Sequence, residues 1–335
     1  MNLLRISDCG LRNKDSNQYP WISVILTILL AAFLPINAAR AEIKVIEADS
    51  TYVLGDNDSK VDARRIATQE AQRKALELAG TFVASLTQVK EYKLTKDEVT
   101  AYTAGIVETE IIKDEIRGTL DHPEFYLKAR CKVDTDALAR QIDRYRENQE
   151  LREQLEAAAR EKESLRKERD AIQKQVAAEK DKGQADETRK KLDSVLTREE
   201  SNDDTARVWV KLSPRIDFYG GQENRQDISA ADLDASFTAL QKALERNPGN
   251  VRARILLASV YQQKHAPAAA EKELRTALER VPNNDLVHMR LGIVLREQGK
   301  YQEALPLLKR AQELKPSDEL ARFVDQVERL ARSQR

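Results

Sequence analysis

The stretch Leu291–Pro316, LGIVLREQGKYQEALPLLKRAQELKP, decides how the last third of this 335-residue chain folds. It reads as two amphipathic helices joined at Gly299-Lys300-Tyr301, each with an apolar stripe that nothing within the stretch can cover. Moved back by 34 residues, it meets a version of itself. Leu257-Ala258 falls on Leu291-Gly292 and Tyr261 on Leu295, while Ala270, Ala277 and Pro282 fall on Ala304, Ala311 and Pro316. The stripes therefore have partners in the neighbouring copy. A half copy, DASFTALQKALERNPGN, comes first and carries Ala243 and Pro248 where a second helix would have them. ELARFVDQVERLARSQR follows as a closing helix that offers Phe323, Val327 and Leu330.

Period, small residues at the crossing points and a proline ending the second helix resemble the tetratricopeptide repeat. The full units are Val251–Asn284 and Asp285–Asp318, with His265 in place of the usual glycine and Arg254 and His288 in place of the bulky aromatic. Such units stack, and stacking and stability are then one event. The resemblance implies a concave face lined by first helices, with Arg252, Ile255, Ser259, Gln262 and Gln263 outward on one and Leu286, Met289, Ile293, Arg296 and Glu297 on the next. An apolar centre with a polar rim suits an extended peptide or a partner helix. The candidate partner-binding residues are Arg252, Ile255, Ser259, Gln262, Gln263, Met289, Ile293 and Arg296. The plainer alternative is an array that only caps and solubilises.

Residues 42–140 change period several times, as an α/β domain does. IKVIEA and TYVLG read as short strands. Ala63, Ala67, Ala71, Ala75 and Ala79 recur every fourth residue, backed by Ile66 and Leu78, and predict a helix closed by Gly80 that lies close on a sheet. TFVASLTQV reads as a strand, and Thr95-Lys-Asp-Glu98 as the capping box of a helix stopping at Gly105. A hairpin follows, with Ile106–Gly118 as one arm, Asp121–Glu124 as turn and FYLKARCKV as return. In the return arm Phe125, Leu127, Ala129, Cys131 and Val133 alternate with polar residues, which places Cys131 in the core as an inert small hydrophobe. This order, with the A-G cue before TFVASLTQV and T-A-G-I-V before the hairpin, is similar to the N-terminal domain of flagellar assembly protein T and of related small envelope lipoproteins. The resemblance implies an envelope assembly or interaction module rather than catalysis. The later domains of that family are replaced here by a helical rod and repeats.

Residues 141–200 hold a long charged helix. Leu151, Ala158, Leu165 and Ile172 recur every seven residues with Leu155 and Val176 beside them, while Lys162 and Arg169 weaken that companion seam. Two readings stay open: a coiled-coil homodimer through 141–180, or a lone charged spacer supported by helical Glu–Lys pairs. Gly183 interrupts the run, and a shorter helix is expected to end near Glu200. Residues 201–230 read as a linker in which ARVWVKL alternates like a short strand; Trp209 finds no place in that reading.

Charged residues make up 33% of the chain and aromatics 5%, with 11 Gly and 9 Pro, a composition suited to long helices. The formal net charge is zero, which disfavours nucleic-acid binding and adsorption to anionic membranes. Arg5, Arg12 and Lys14 precede the apolar run Ile22–Leu34, and Ala39-Arg40-Ala41 follows as a small-x-small site. Residues 1–41 are therefore expected to be a signal peptide that sends the chain to the periplasm, an inner-membrane anchor being the alternative. Its loss would remove four basic and two acidic groups, moving the charge from 0 to −2, and would leave Cys131 as the one thiol. Three scattered histidines, His122, His265 and His288, fit packing or surface roles. No metal-ligand spacing, phosphate loop or nucleophile elbow stands in the sequence, so neither an enzyme nor a cofactor is expected. The expected fold is mostly α: an N-terminal α/β domain, a long helix, and a C-terminal α-α superhelix of repeats with a capping helix over 231–335. The expected role is an envelope adaptor with protein partners.

Overall fold

The computed structural model describes residues 43–55, 58–88, 108–119, 123–134, 149–212 and 228–333. The expected signal peptide, the capping box at Thr95 and His122 lie outside these residues. Among the described residues there are three strands and nine helices. No helix among them is long and apolar enough to cross a membrane.

Strand β1 (Ile43–Val53), strand β2 (Glu108–Gly118) and strand β3 (Pro123–Asp134) form an antiparallel sheet in the order β1-β3-β2. The two short strands expected near the start are one continuous strand. Its register sets Ile46 opposite Cys131 and Ala48 opposite Ala129. Ile46, Ala48, Phe125, Leu127, Ala129 and Cys131 are buried on one face, as the alternation required. A bulge between Ile111 and Lys113 brings Ile111 and Ile116, five positions apart, to the same side as Ala129 and Phe125. The other face is a ladder of exposed charges, in which Glu47 meets Lys128 at 2.6 Å and Arg130 at 3.0 Å.

Helix α1 (Lys60–Gln88) crosses the inner face. Ser59 starts it, its Oγ accepting from the Asp62 amide at 3.0 Å and donating to the Asp62 carboxylate at 2.7 Å. Ala63, Ala67, Ala71 and Ala75 are buried, and the close approach lets Ser50 Oγ donate to the Ala67 carbonyl at 2.6 Å. Ile66 is buried, whereas Leu78 is exposed. The expected stop at Gly80 and strand at TFVASLTQV are both corrected: α1 continues past Gly80 and takes in Thr81–Gln88, Val89 lying outside the described residues. A glycine inside a helix costs about 1 kcal/mol, too little to end a long one. It caps a helix by turning left-handed, as Gly299 does at φ 75°.

Helix α2 (Gln149–Ala178) and helix α3 (Lys182–Leu212) are joined by a tight turn. Asp181 caps α3, its carboxylate accepting from the Gln184 amide at 2.9 Å, so Gly183 sits in the first turn rather than breaking the run. The helices pack antiparallel: Lys162 pairs with Asp203 at 2.7 Å, Arg198 with Glu168 at 3.2 Å, and the Trp209 indole donates to Gln154 at 3.1 Å. The charged rod is thus half of a hairpin, with Leu165, Arg169 and Val176 of its seam buried within the chain. ARVWVKL is the end of α3, not a strand, and it accounts for Trp209, which is buried against α2. The linker expected from residue 201 is helical to Leu212.

The hairpin also grips the sheet domain. Ile66 packs with Leu192, Leu196, Ile172 and Tyr52. Arg65 reaches Glu200 at 2.7 Å, Asp193 at 2.5 Å and Thr197 at 3.1 Å. Arg169, buried, binds Glu70 at 2.8 Å, Gln69 at 3.0 Å and Glu199 at 3.3 Å. Burial lowers the affinity of Arg169 for its proton, but Glu199, Asp170 and Glu70 outweigh it and the net shift is upward. Burial pushes the Glu199 carboxyl up despite Arg169.

The remaining helices are α4 (Ala230–Arg246), α5 (Val251–Gln263), α6 (Pro267–Arg280), α7 (Asp285–Glu297), α8 (Tyr301–Leu314) and α9 (Asp318–Ser333). Asn250 and Asn284, one repeat apart, cap α5 and α7 through Ala253 N and Val287 N, each at 2.9 Å. The joints at His265 and Gly299 both turn left-handed, with φ of 56° and 75°. Each helix packs on the next, and α9 closes the stack with Leu320, Phe323, Val324 and Val327 buried.

Candidate functional site

The half unit that opens the repeats is completed by α3. Helix α4 lies antiparallel on the second half of α3, with Lys211 paired to Asp232 at 2.5 Å and Arg246 to Asp204. Between them is a buried polar knot. Ser201 Oγ donates to the Ala243 carbonyl at 2.7 Å and Thr205 Oγ1 to the Ser201 carbonyl at 2.7 Å. Their oxygens then accept from the Asn250 side-chain amide, each at 3.0 Å, and Asn202 Oδ1 accepts from it at 3.1 Å. The first helices of the stack are therefore the end of α3, then α5, α7 and α9.

The candidate partner-binding residues do lie on α5 and α7, but their centre is not open. Ile255, Ser259, Met289 and Ile293 are 7%, 2%, 5% and 3% exposed. This corrects the exposed apolar centre that repeat geometry implied. Ser259 Oγ donates to the Ile255 carbonyl of its own helix at 3.2 Å, so its polarity is satisfied locally. Ile255, Met289 and Ile293 belong to a buried core that also holds Phe323 and Val324 of the capping helix α9.

The polar candidates tie the rim together. Gln262 Nε2 on α5 donates to Glu297 on α7 at 2.9 Å, and Gln263 beside it is half-buried. The Arg296 guanidinium lies 4.8 Å from the Phe323 ring centre, a cation–π contact from α7 to α9. Arg252, its side chain 23% exposed, sits 3.6 Å from Glu161 of α2. Burial lowers the Arg252 pKa from its usual value, with Glu161 acting in opposition. Lys315, just before α9, pairs with Glu153 of α2 at 2.5 Å. Nothing local in the sequence signals Lys315, Glu153 or Glu161 as partners, since Glu153 and Lys315 lie 162 residues apart in the chain.

The opposite side of the array has its own cluster. Glu271 on α6 receives Lys300 at 2.8 Å, Arg275 at 2.7 Å and Gln298 at 3.0 Å. Burial pushes its carboxyl up, but those donors prevail and hold it at about 2. His288, expected to pack, is buried with Nε2 at 2.9 Å from the Pro282 carbonyl. Among the described residues no group of histidine, cysteine, aspartate and glutamate could hold a metal ion.

Tetratricopeptide repeat models match residues 227–292 and 286–318. The C-terminal part of the chain carries tetratricopeptide repeats, whose proteins are typically interaction scaffolds. No curated protein matches the chain. Among solved structures, it resembles the first such domain of human RPAP3 at 18% identity, covering 42% of this chain and 93% of that one with a TM-score of 0.31. It resembles the Arabidopsis OM64 domain at 13% identity, covering 40% and 98%, TM-score 0.33. MamA AMB-1 matches at 20% identity, covering 44% and 79%, TM-score 0.32.

Proposed function

We propose that this chain is an exported adaptor of a bacterial cell envelope, whose repeats hold a partner peptide or helix in their concave surface. One observation carries the reading: the first helices α5 and α7 set the cations Arg252 and Arg296 beside Ile255, Met289 and Ile293, which are buried in the stack's own core. Export rests on the basic, apolar and small-residue sequence of 1–41. An assembly role draws on the resemblance of residues 47–137 to the flagellar assembly protein T domain, and the helix-on-sheet layer of β1, α1 and β3 is consistent with it.

The test is a pull-down from periplasm with the full mature chain. A defined partner should be recovered, and the double variant R252E/R296E should lose it. Recovery unaffected by both changes would refute the concave surface as the binding site. Amino-terminal sequencing of the exported chain should begin at Glu42. The rival reading is a spacer that dimerises through 141–180; the burial of Leu165 and Val176 inside the α2–α3 hairpin counts against it.

A further inference from the structure

Helix α2 meets the repeats at two places. Glu161 faces Arg252 at the start of α5, and Glu153 faces Lys315 at the approach to α9. The carboxylates are eight residues apart, about 12 Å of helix, and α7 lies between the helices they touch. Between these anchors the α2 sequence is QLEAAAR, in which three successive alanines, Ala157–Ala159, add little bulk. The residues of the hollow between the two cations, Ile255, Met289 and Ile293, are those that the structure buries.

We propose that the amino-terminal half of α2 is a resident occupant of the repeat hollow, and that the external partner is an amphipathic helix of the same chemistry. That helix carries two carboxylates about two turns apart around a stretch of small and apolar residues, and it takes the place of α2. Charge complementarity selects it: Arg252 and Lys315 are the groups α2 engages, and Arg296 adds a third cation on α7. The proposal rests on the adaptor reading and adds to it the partner's chemistry and a means of control. With α2 seated, the hollow admits only a ligand able to compete for both ion pairs. An acidic helix can do so, and an uncharged peptide cannot.

The test uses the full mature chain and a fluorescent synthetic peptide of residues 149–166, followed by anisotropy. Wild-type chain should bind it weakly. E153K/E161K should bind it on the order of tenfold more tightly, since two half-exposed ion pairs no longer hold α2 down. Adding R252E/K315E should abolish that gain. The four changes combined restore ion pairs of reversed sign within the chain, so their thermal midpoint should match wild type and show that the fold is intact. In E153K/E161K, amide exchange over 149–161 should accelerate while 185–200 stays protected. Equal binding by wild type and E153K/E161K, binding by neither, or binding indifferent to R252E/K315E would overturn the proposal. So would a wild-type dimer that exchanges α2 between copies. If the peptide result fails while R252E/R296E still loses the periplasmic partner, the adaptor stands and the resident occupant falls.

Discussion

Replacing Asn250 by alanine should cost far more than replacing Asn284, although the two occupy the same place in successive repeats. Each caps a first helix through an amide at 2.9 Å, and losing such a cap costs about 1 kcal/mol. Asn250 alone also donates to Ser201, Asn202 and Thr205 on α3. The Ser201 and Thr205 hydroxyl protons are already committed to carbonyls, so those oxygens can only accept. Removing the amide leaves two buried acceptors unpaired, a further penalty of about 1–3 kcal/mol. The expected totals are about 2–4 kcal/mol for N250A and about 1 for N284A. With a urea slope of about 3 kcal/mol/M, the midpoints should fall by roughly 1 M and 0.3 M. Equal shifts for the two variants would mean that the polar knot adds nothing, and that α3 is not a working member of the repeat stack.

Other substitutions probe the stack at single points. A Cβ added at Gly292 would lie 2.6 Å from Leu308, which is fully buried, so G292A should destabilise by about 1–3 kcal/mol in urea melts. His265 holds φ at 56° where a side chain is strained; H265G should relieve about 1 kcal/mol, part of it offset by chain entropy, and raise the thermal midpoint by about 2 °C. The Glu271 carboxyl is held at about 2 in the folded chain, below its ordinary unfolded value. Its contribution is therefore present above about pH 4.3 and lost as pH falls toward 2. After solvent screening this is about 1 kcal/mol, and E271Q should remove that part of the acid dependence of the melting temperature.

The sequence made the repeats legible because each carries its own punctuation: asparagine caps, small residues at crossings, prolines after second helices. It made β3 legible for a similar reason, since a two-residue period survives in Phe125, Leu127, Ala129 and Cys131. What escaped was long-range. ARVWVKL alternates over too few residues to separate a strand from a helix end, and only Gln154 and the α2 face tell Trp209 where to go. TFVASLTQV has the branched and aromatic content of a strand, yet it continues a helix already running, and one glycine could not stop it. The concave residues stand on the helices that the repeat predicts, but they are buried, and the pairs Glu161–Arg252 and Glu153–Lys315 that bring α2 to the repeats are not encoded by repeat periodicity.

Helix α3 has a practical consequence for anyone dissecting this protein. Its first half is sealed to Ile66 and its second half to α4, so one continuous span of backbone belongs to both lobes. A clone beginning at residue 231 would strip Leu240 and Ala243 of their neighbour and leave Asn250 without its hydroxyl acceptors. Such an excised piece would present a raw, greasy flank that never meets solvent in the intact chain, and stickiness measured on it would report the cut.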